Sequence, residues 1–258
     1  PQLMIECVRA YNDFLVDWCS LDPKRLVPIT ALPFWDVEAS VAEINRCFKM
    51  GHKGIVFGNQ TETYDLPLLA DRHWDPIWNT AQDLGLSINF HIAAGSGQYR
   101  RPAHPSTGAR AAFAKAVVME FMDNAQAISE VIVSGMCERF PRLNFVSVES
   151  GIGFLPFLLE ALDWQWKNNG AIAENPHIPN FPSFYFKRQV YGCFWFEEQA
   201  AETALRLLPD NILYETDYPH PTSMSPGASM PYAISPRDYI QGQLGSLPED
   251  TLRKVLHD

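Results

Sequence analysis

The stretch Ile212-Leu213-Tyr214-Glu215-Thr216-Asp217-Tyr218-Pro219-His220 is a short apolar run that ends in acidic residues and is stopped by a proline turn. Ile212, Leu213 and Tyr214 predict a buried strand, and Tyr218-Pro219-His220 predicts the turn that closes it. Asp217 therefore stands at the C-terminal end of a strand. In an α/β barrel the chemistry gathers at that end, where a carboxylate can bind a metal or move a proton. An aspartate that only caps the next turn is the competing reading.

Upstream the same theme recurs: a short apolar run, a loop, then an amphipathic stretch of helical length. The strands read as Arg25–Leu32, Gly54–Phe57, Leu86–His91, Leu143–Glu149, Gly192–Phe196 and the run ending at Asp217. Between them, Val37, Val41, Ile44 and Phe48 repeat at helical spacing from a cap at Asp36 to a stop at Gly51. Asp75-Pro76 opens another helix that runs to Gly85, and further helical stretches cover Ala111–Arg139, Phe154–Trp166 and Ala200–Leu208. Residues 168–183, rich in Asn and Pro, predict an irregular excursion. Strands alternating with helices predict parallel βαβ units.

A closed (β/α)8 barrel of the TIM type needs eight such units, and six are legible. The expectation is one barrel domain over residues 1–258 that lacks its first strands and is cut at both ends. Pro1 already lies close to a helical pattern, and the final helix from Leu247 stops with Leu252, Val255 and Leu256 still in register.

Composition narrows the partners. With 30 acidic against 20 basic residues and no long Lys/Arg run, nucleic acid and anionic membranes are poor candidates, which favours a small-molecule substrate. No apolar run approaches the roughly 18 residues of a membrane span. The five cysteines are scattered without a Cys-x-x-Cys pair, so neither a disulfide framework nor a thiolate zinc site is expected, and a reducing cytoplasm fits.

Side chains alternate along a strand, so Ser87, Asn89 and His91 share one face while Leu86, Ile88 and Phe90 share the other. In a barrel His91 then points toward the same end as Asp217; a buried structural histidine is the alternative. Ser147 and Glu149 likewise share a face, although Glu149 can also be read as a cap of the following helix. Imidazole and carboxylate donors on strand ends suit zinc or manganese. Gly151-Ile152-Gly153 falls short of a dinucleotide turn because Pro156 occupies the third glycine position, but its backbone N–H groups could hold a substrate carboxylate. Arg100, His220 on the rim and Trp195 at the end of the fifth strand are further candidate substrate contacts. No Gly-x-Ser-x-Gly elbow, Walker loop or His-Glu-x-x-His helix is present.

Taken in order, Tyr-Asn-Asp-Phe at 11–14, Arg-Leu-Val-Pro at 25–28, Gly-His-Lys-Gly at 51–54, the strand ending in His91, Glu-Ser-Gly-Ile-Gly-Phe-Leu-Pro at 149–156, Pro-Ser-Phe-Tyr-Phe-Lys-Arg-Gln-Val at 182–190 and Glu-Thr-Asp-Tyr-Pro-His at 215–220 resemble the amidohydrolase-related family. This branch of the amidohydrolase superfamily includes aminocarboxymuconate semialdehyde decarboxylase. The resemblance implies a distorted (β/α)8 barrel, often dimeric, with one divalent metal, commonly zinc. It implies that His91 and Asp217 are metal ligands, and that the six strands are strands three to eight. The family's first-strand His-x-His pair has no counterpart here. Where the decarboxylases carry a histidine after the sixth strand, this chain has Glu149.

The expected function is a metal-dependent hydrolase acting on a small carboxylate or carbonyl compound. Asp217 would shuttle a proton, with Glu149 as a second acid/base or a substrate-orienting group. Nonoxidative decarboxylation of an aromatic or muconate-like acid is the alternative enzymatic reading, and a metal-free ligand-binding barrel is the alternative from another class.

Overall fold

Asp36 shows how local chemistry sets the elements. Its carboxylate accepts the Ala39 N–H at 2.9 Å, fixing the first turn of a helix over Val37–Met50. Gly51 ends that helix in the left-handed region, at φ 107°, where a Cβ would be strained. The structure, a computed structural model, describes residues 2–94, 102–220, 223–228 and 230–257.

The chain divides into two compact units, Pro1–Val146 and Ser147–Asp258. The first runs α1 (Gln2–Cys19), β1 (Ile29–Thr30), α2 (Val37–Met50), β2 (Gly54–Gly58), α3 (Asp75–Leu84), β3 (Ser87–His91), α4 (Ala109–Val133) and α5 (Met136–Arg139). The strand β4 (Phe145–Val148) straddles the boundary. The second unit continues with α6 (Leu155–Asn168), α7 (Ala171–Glu174), α8 (Pro182–Gln189), β5 (Val190–Phe194), α9 (Gln199–Leu207), β6 (Ile212–Tyr214), α10 (Pro236–Tyr239) and α11 (Glu249–Leu256).

The strands follow chain order in the sheet, with β1 parallel to β2, β2 to β3 and β5 to β6. Helices fill the crossovers, as parallel pairing demands. In the first unit Ile44, Ile55, Phe57, Trp74, Ile77, Trp78, Ile88 and Phe90 are buried, and Phe57 meets the Trp74 and Trp78 rings edge-on at 5.3 and 4.8 Å. Each such aromatic contributes on the order of 2–3 kcal/mol by burial. In the second unit Ile152, Leu155, Tyr185, Phe186, Phe194 and Tyr239 form the corresponding interior.

Several predicted elements change length. The first strand, read over Arg25–Leu32, pairs only at Ile29–Thr30, because Pro28 and Pro33 flank it and supply no N–H. The fifth strand begins at Val190 and ends at Phe194, so Trp195 and Phe196 lie beyond it. The helix read over Ala111–Arg139 breaks at Ser134-Gly135. The excursion at 168–183 is less irregular than expected: it contains α7, and α8 begins within it at Pro182. Pro182 presets the first helical turn, and Asp163 of α6 accepts the Ser183 N–H at 2.8 Å and hydroxyl at 2.6 Å. That cap comes from a residue 20 positions away, which local pattern does not reveal.

Candidate metal centre

The second unit brings three of the strand-end residues together. Glu149 directly follows β4, Asp217 lies three residues past β6, and His220 sits in the turn behind it. One ligand atom from each lies within 4.8 Å of the others, the one such cluster among the described residues. His220 Nδ1 is 2.9 Å from Asp217 Oδ2 and 3.7 Å from Glu149 Oε1. The carboxylates are largely sheltered, with side chains 9% exposed for Glu149 and 12% for Asp217, whereas the His220 side chain is 55% exposed.

The backbone at both carboxylates is unusual. Glu149 and Asp217 adopt positive φ, 57° and 56°. Aspartate tolerates this region, but glutamate there costs about 1–2 kcal/mol. Such strain persists only where surrounding contacts impose it. For Glu149 those contacts are visible. Its N–H donates to Glu215 Oε1 at 3.0 Å, and Glu215 N–H in turn donates to the Phe194 carbonyl at 3.0 Å at the end of β5. The turn at Asp217 is held by His220 N–H on the Asp217 carbonyl at 2.8 Å and Met224 N–H on the Thr216 carbonyl at 3.1 Å.

Two sheltered carboxylates and one solvent-facing imidazole converge into an oxygen-rich donor set that fits a divalent cation. No cysteine is among the three, so the set is not a thiolate site.

His91 ends β3 in the first unit, exposed, with Nδ1 2.7 Å from the Ile92 carbonyl oxygen. Arg100 lies outside the described residues. Trp195, buried just past β5, lines a cavity of about 290 Å³ together with Met224, Ile234 and Tyr239. The apolar lining is interrupted by Glu198 and Ser223.

The Gly151-Ile152-Gly153 turn departs from expectation. Its N–H groups are not open to a substrate carboxylate, because Glu197 Oε1 accepts from Ile152 N–H at 2.6 Å and from Gly153 N–H at 3.3 Å. Burial pushes the Glu197 carboxyl above the usual carboxylate range, against the lowering effect of these N–H groups. Glu197 and Glu215 escaped the sequence reading. The one signal was a carboxylate three residues past β5, in Trp195-Phe196-Glu197, overshadowed by the tryptophan beside it.

Parallel strands joined by helices, with an acidic and imidazole cluster at strand ends that fits a divalent cation, place the chain in the α/β class. The amidohydrolase family profile matches residues 2–258, and the chain belongs to that family. It is 27% identical over 228 residues to gamma-resorcylate decarboxylase of Rhizobium sp. (strain MTP-10005), covering 83% of this chain and 66% of that protein. It is 24% identical over 230 residues to 2-amino-3-carboxymuconate-6-semialdehyde decarboxylase of Dictyostelium discoideum, covering 86% and 58% respectively. The chain thus spans less than two thirds of the length of these curated relatives. Among solved structures, a dihydroxybenzoic acid decarboxylase from Polaromonas sp. JS666, with bound manganese and the inhibitor 2-nitroresorcinol, superposes with a TM-score of 0.70 at 23% identity. The match covers 97% of this chain and 72% of the other, so the fold is the TIM-type barrel fold of this superfamily. No helix among the described residues is long and apolar enough to cross a membrane.

Proposed function

We propose that the protein is a metal-dependent, nonoxidative decarboxylase of a small aromatic or muconate-like carboxylic acid. The observation that carries this is the convergence of Glu149, Asp217 and His220, in a chain whose relatives are decarboxylases. Hydrolysis, the broader expectation from sequence, is the less supported reading, because the curated relatives named above are decarboxylases.

Glu149, Asp217 and His220 would hold the cation, manganese or zinc, with His91 joining the reading on family resemblance alone. When bound, the cation would neutralise and orient the substrate carboxylate or an adjacent hydroxyl. Asp217 delivers a proton to the ring carbon as the bond from that carbon to the carboxylate breaks. The bonding pair stays on the carbon and takes the proton, and carbon dioxide leaves. A proton from solvent then restores Asp217. Glu149 is sheltered and fixed by its backbone, so it orients rather than travels. The family's histidine after the sixth strand is absent, and His220 supplies an imidazole from a different strand end.

The cavity beside Trp195 suits the planar apolar body of the substrate, its 290 Å³ lying at the small end for a ligand pocket. The barrel is read as one domain, with a homodimer as its assembly by family resemblance. The five cysteines are free, four of them buried, which suits a reducing cytoplasm.

The test supplies the manganese-loaded protein with hydroxybenzoic acids that carry a carboxylate beside a hydroxyl, and follows carbon dioxide release. Release that depends on manganese and on Asp217 is expected. Consumption of an amide or ester substrate without carbon dioxide would return the hydrolase reading.

A further inference from the structure

Glu197 is buried, 8% exposed, and yet among the described residues no cation is paired with it. One oxygen takes the Ile152 and Gly153 N–H groups, while Oε2 is buried without a hydrogen-bond partner among the described residues. Such a group costs stability by desolvation. Gly151 is shaped around it: a Cβ built there would lie 2.4 Å from Glu197 Oε1, and its φ of 70° disfavours any side chain. The turn that carries Glu149 is thus moulded onto a single buried carboxyl.

The other contacts of Glu197 lead back to the same turn. The Tyr239 hydroxyl donates to the Glu197 carbonyl. Tyr239 stacks on Tyr214 with ring centroids 5.9 Å apart and an interplanar angle of 14°. Tyr214 ends β6 and is followed directly by Glu215, whose carboxylate takes the Glu149 N–H at 3.0 Å. A closed circuit therefore joins the ends of β4, β5 and β6, with Glu149 gripped from its N-terminal side by Glu215 and from its C-terminal side by Glu197.

We propose that Glu197 is a positioning residue: with Glu215, it clamps the 149–153 turn and holds Glu149 in its left-handed conformation, with its side chain presented to Asp217 and His220. The clamp rests on the reading of Glu149 as a site residue, but its effect on the turn can be measured independently of any cation. It explains why a strained glutamate persists after β4: two carboxyl groups accept three backbone N–H groups around it.

The experiment compares the full chain with Glu197→Ala, Glu197→Gln and Gly151→Ala by residue-resolved amide hydrogen exchange, alongside manganese binding followed by electron paramagnetic resonance. In Glu197→Ala, exchange at Ile152 and Gly153 rises about tenfold or more and manganese affinity falls about tenfold, while amides of β2 and β3 keep their rates. Glu197→Gln retains a carbonyl acceptor and restores both properties. Gly151→Ala pushes the turn off the carboxyl and reproduces the alanine phenotype, so the clamp is still tested if Glu197→Ala does not fold. Unchanged exchange at Ile152 and Gly153, or a uniform rise across the second unit, overturns the clamp. If the wild-type chain takes up no manganese, the metal reading fails, and the exchange comparison alone then decides the clamp.

Discussion

Two buried polar clusters, one in each unit, use similar residue types for opposite ends. In the first unit Glu43 is 2% exposed and is gripped by Arg46 through hydrogen bonds of 2.9 and 2.6 Å, while Asn12 donates to it at 2.8 Å. Asn12 also ties to both the N–H and the carbonyl of Ala31, so the network fastens α1 and α2 to the chain just past β1. Although burial acts to raise it, the hydrogen bonds from Arg46 and Asn12 hold the Glu43 carboxyl below its usual range. In the second unit Glu149 and Asp217 face an imidazole instead of a guanidinium, on strained backbone at strand ends. The first arrangement carries its own permanent cation and is built for stability. The second gathers donors that fit a divalent ion.

The largest expected effect lies in the second cluster. On the proposed function, Asp217→Ala would remove a ligand and the proton carrier together, and the expected outcome is a loss of carbon dioxide release of about 1,000-fold or more while the melting temperature moves little. Next, Glu43→Ala takes the main partner of half-buried Arg46, leaving it Asp13, and removes the acceptor of the Asn12 amide; it costs roughly 1–3 kcal/mol in denaturant unfolding, with manganese affinity unchanged. If Glu43→Ala weakened the metal and Asp217→Ala unfolded the protein, the contrast between the clusters would be broken. A smaller effect is expected at the cavity wall: Trp195→Phe raises KM about tenfold with a lesser change in kcat, measured by steady-state kinetics.

The smallest effects are of pH, and they carry opposite signs in the two units. Burial lowers the affinity of His52 for a proton, its Nδ1 lying 3.0 Å from Thr30 Oγ1. The unfolded chain then binds that proton more readily, so His52 contributes a loss of stability as pH falls below its ordinary value of 6.5. Burial raises Glu197 instead, so the folded state keeps a proton that the unfolded chain has released. Its contribution is lost as pH rises above the ordinary value of 4.5 through the folded pKa. Thermal unfolding across this range, with His52→Asn and Glu197→Gln each flattening its own limb, checks both signs.

How far the sequence led follows the range of each interaction. Asp36, Gly51 and Gly85 act within one helical turn, and the helices they bound were legible, whereas Asp75, expected as a cap, is the first residue of its helix and pairs instead with Arg139, 64 residues away. Glu149 and Asp217 were legible because alternation along a strand and the end of an apolar run mark them. Glu197 and Glu215 were not, since their partners lie 45, 44 and 66 residues away. His220 was read as a rim residue, and only the folded turn at 217–220 brings its ring to the two carboxylates.

Titration of the wild-type chain and its Asp217→Asn variant with manganese, followed by electron paramagnetic resonance, tests the central claim most directly. One bound ion per wild-type chain, lost or weakened about 100-fold or more in Asp217→Asn, is the predicted result. Equal binding by the two proteins, or none by the wild type, would contradict it.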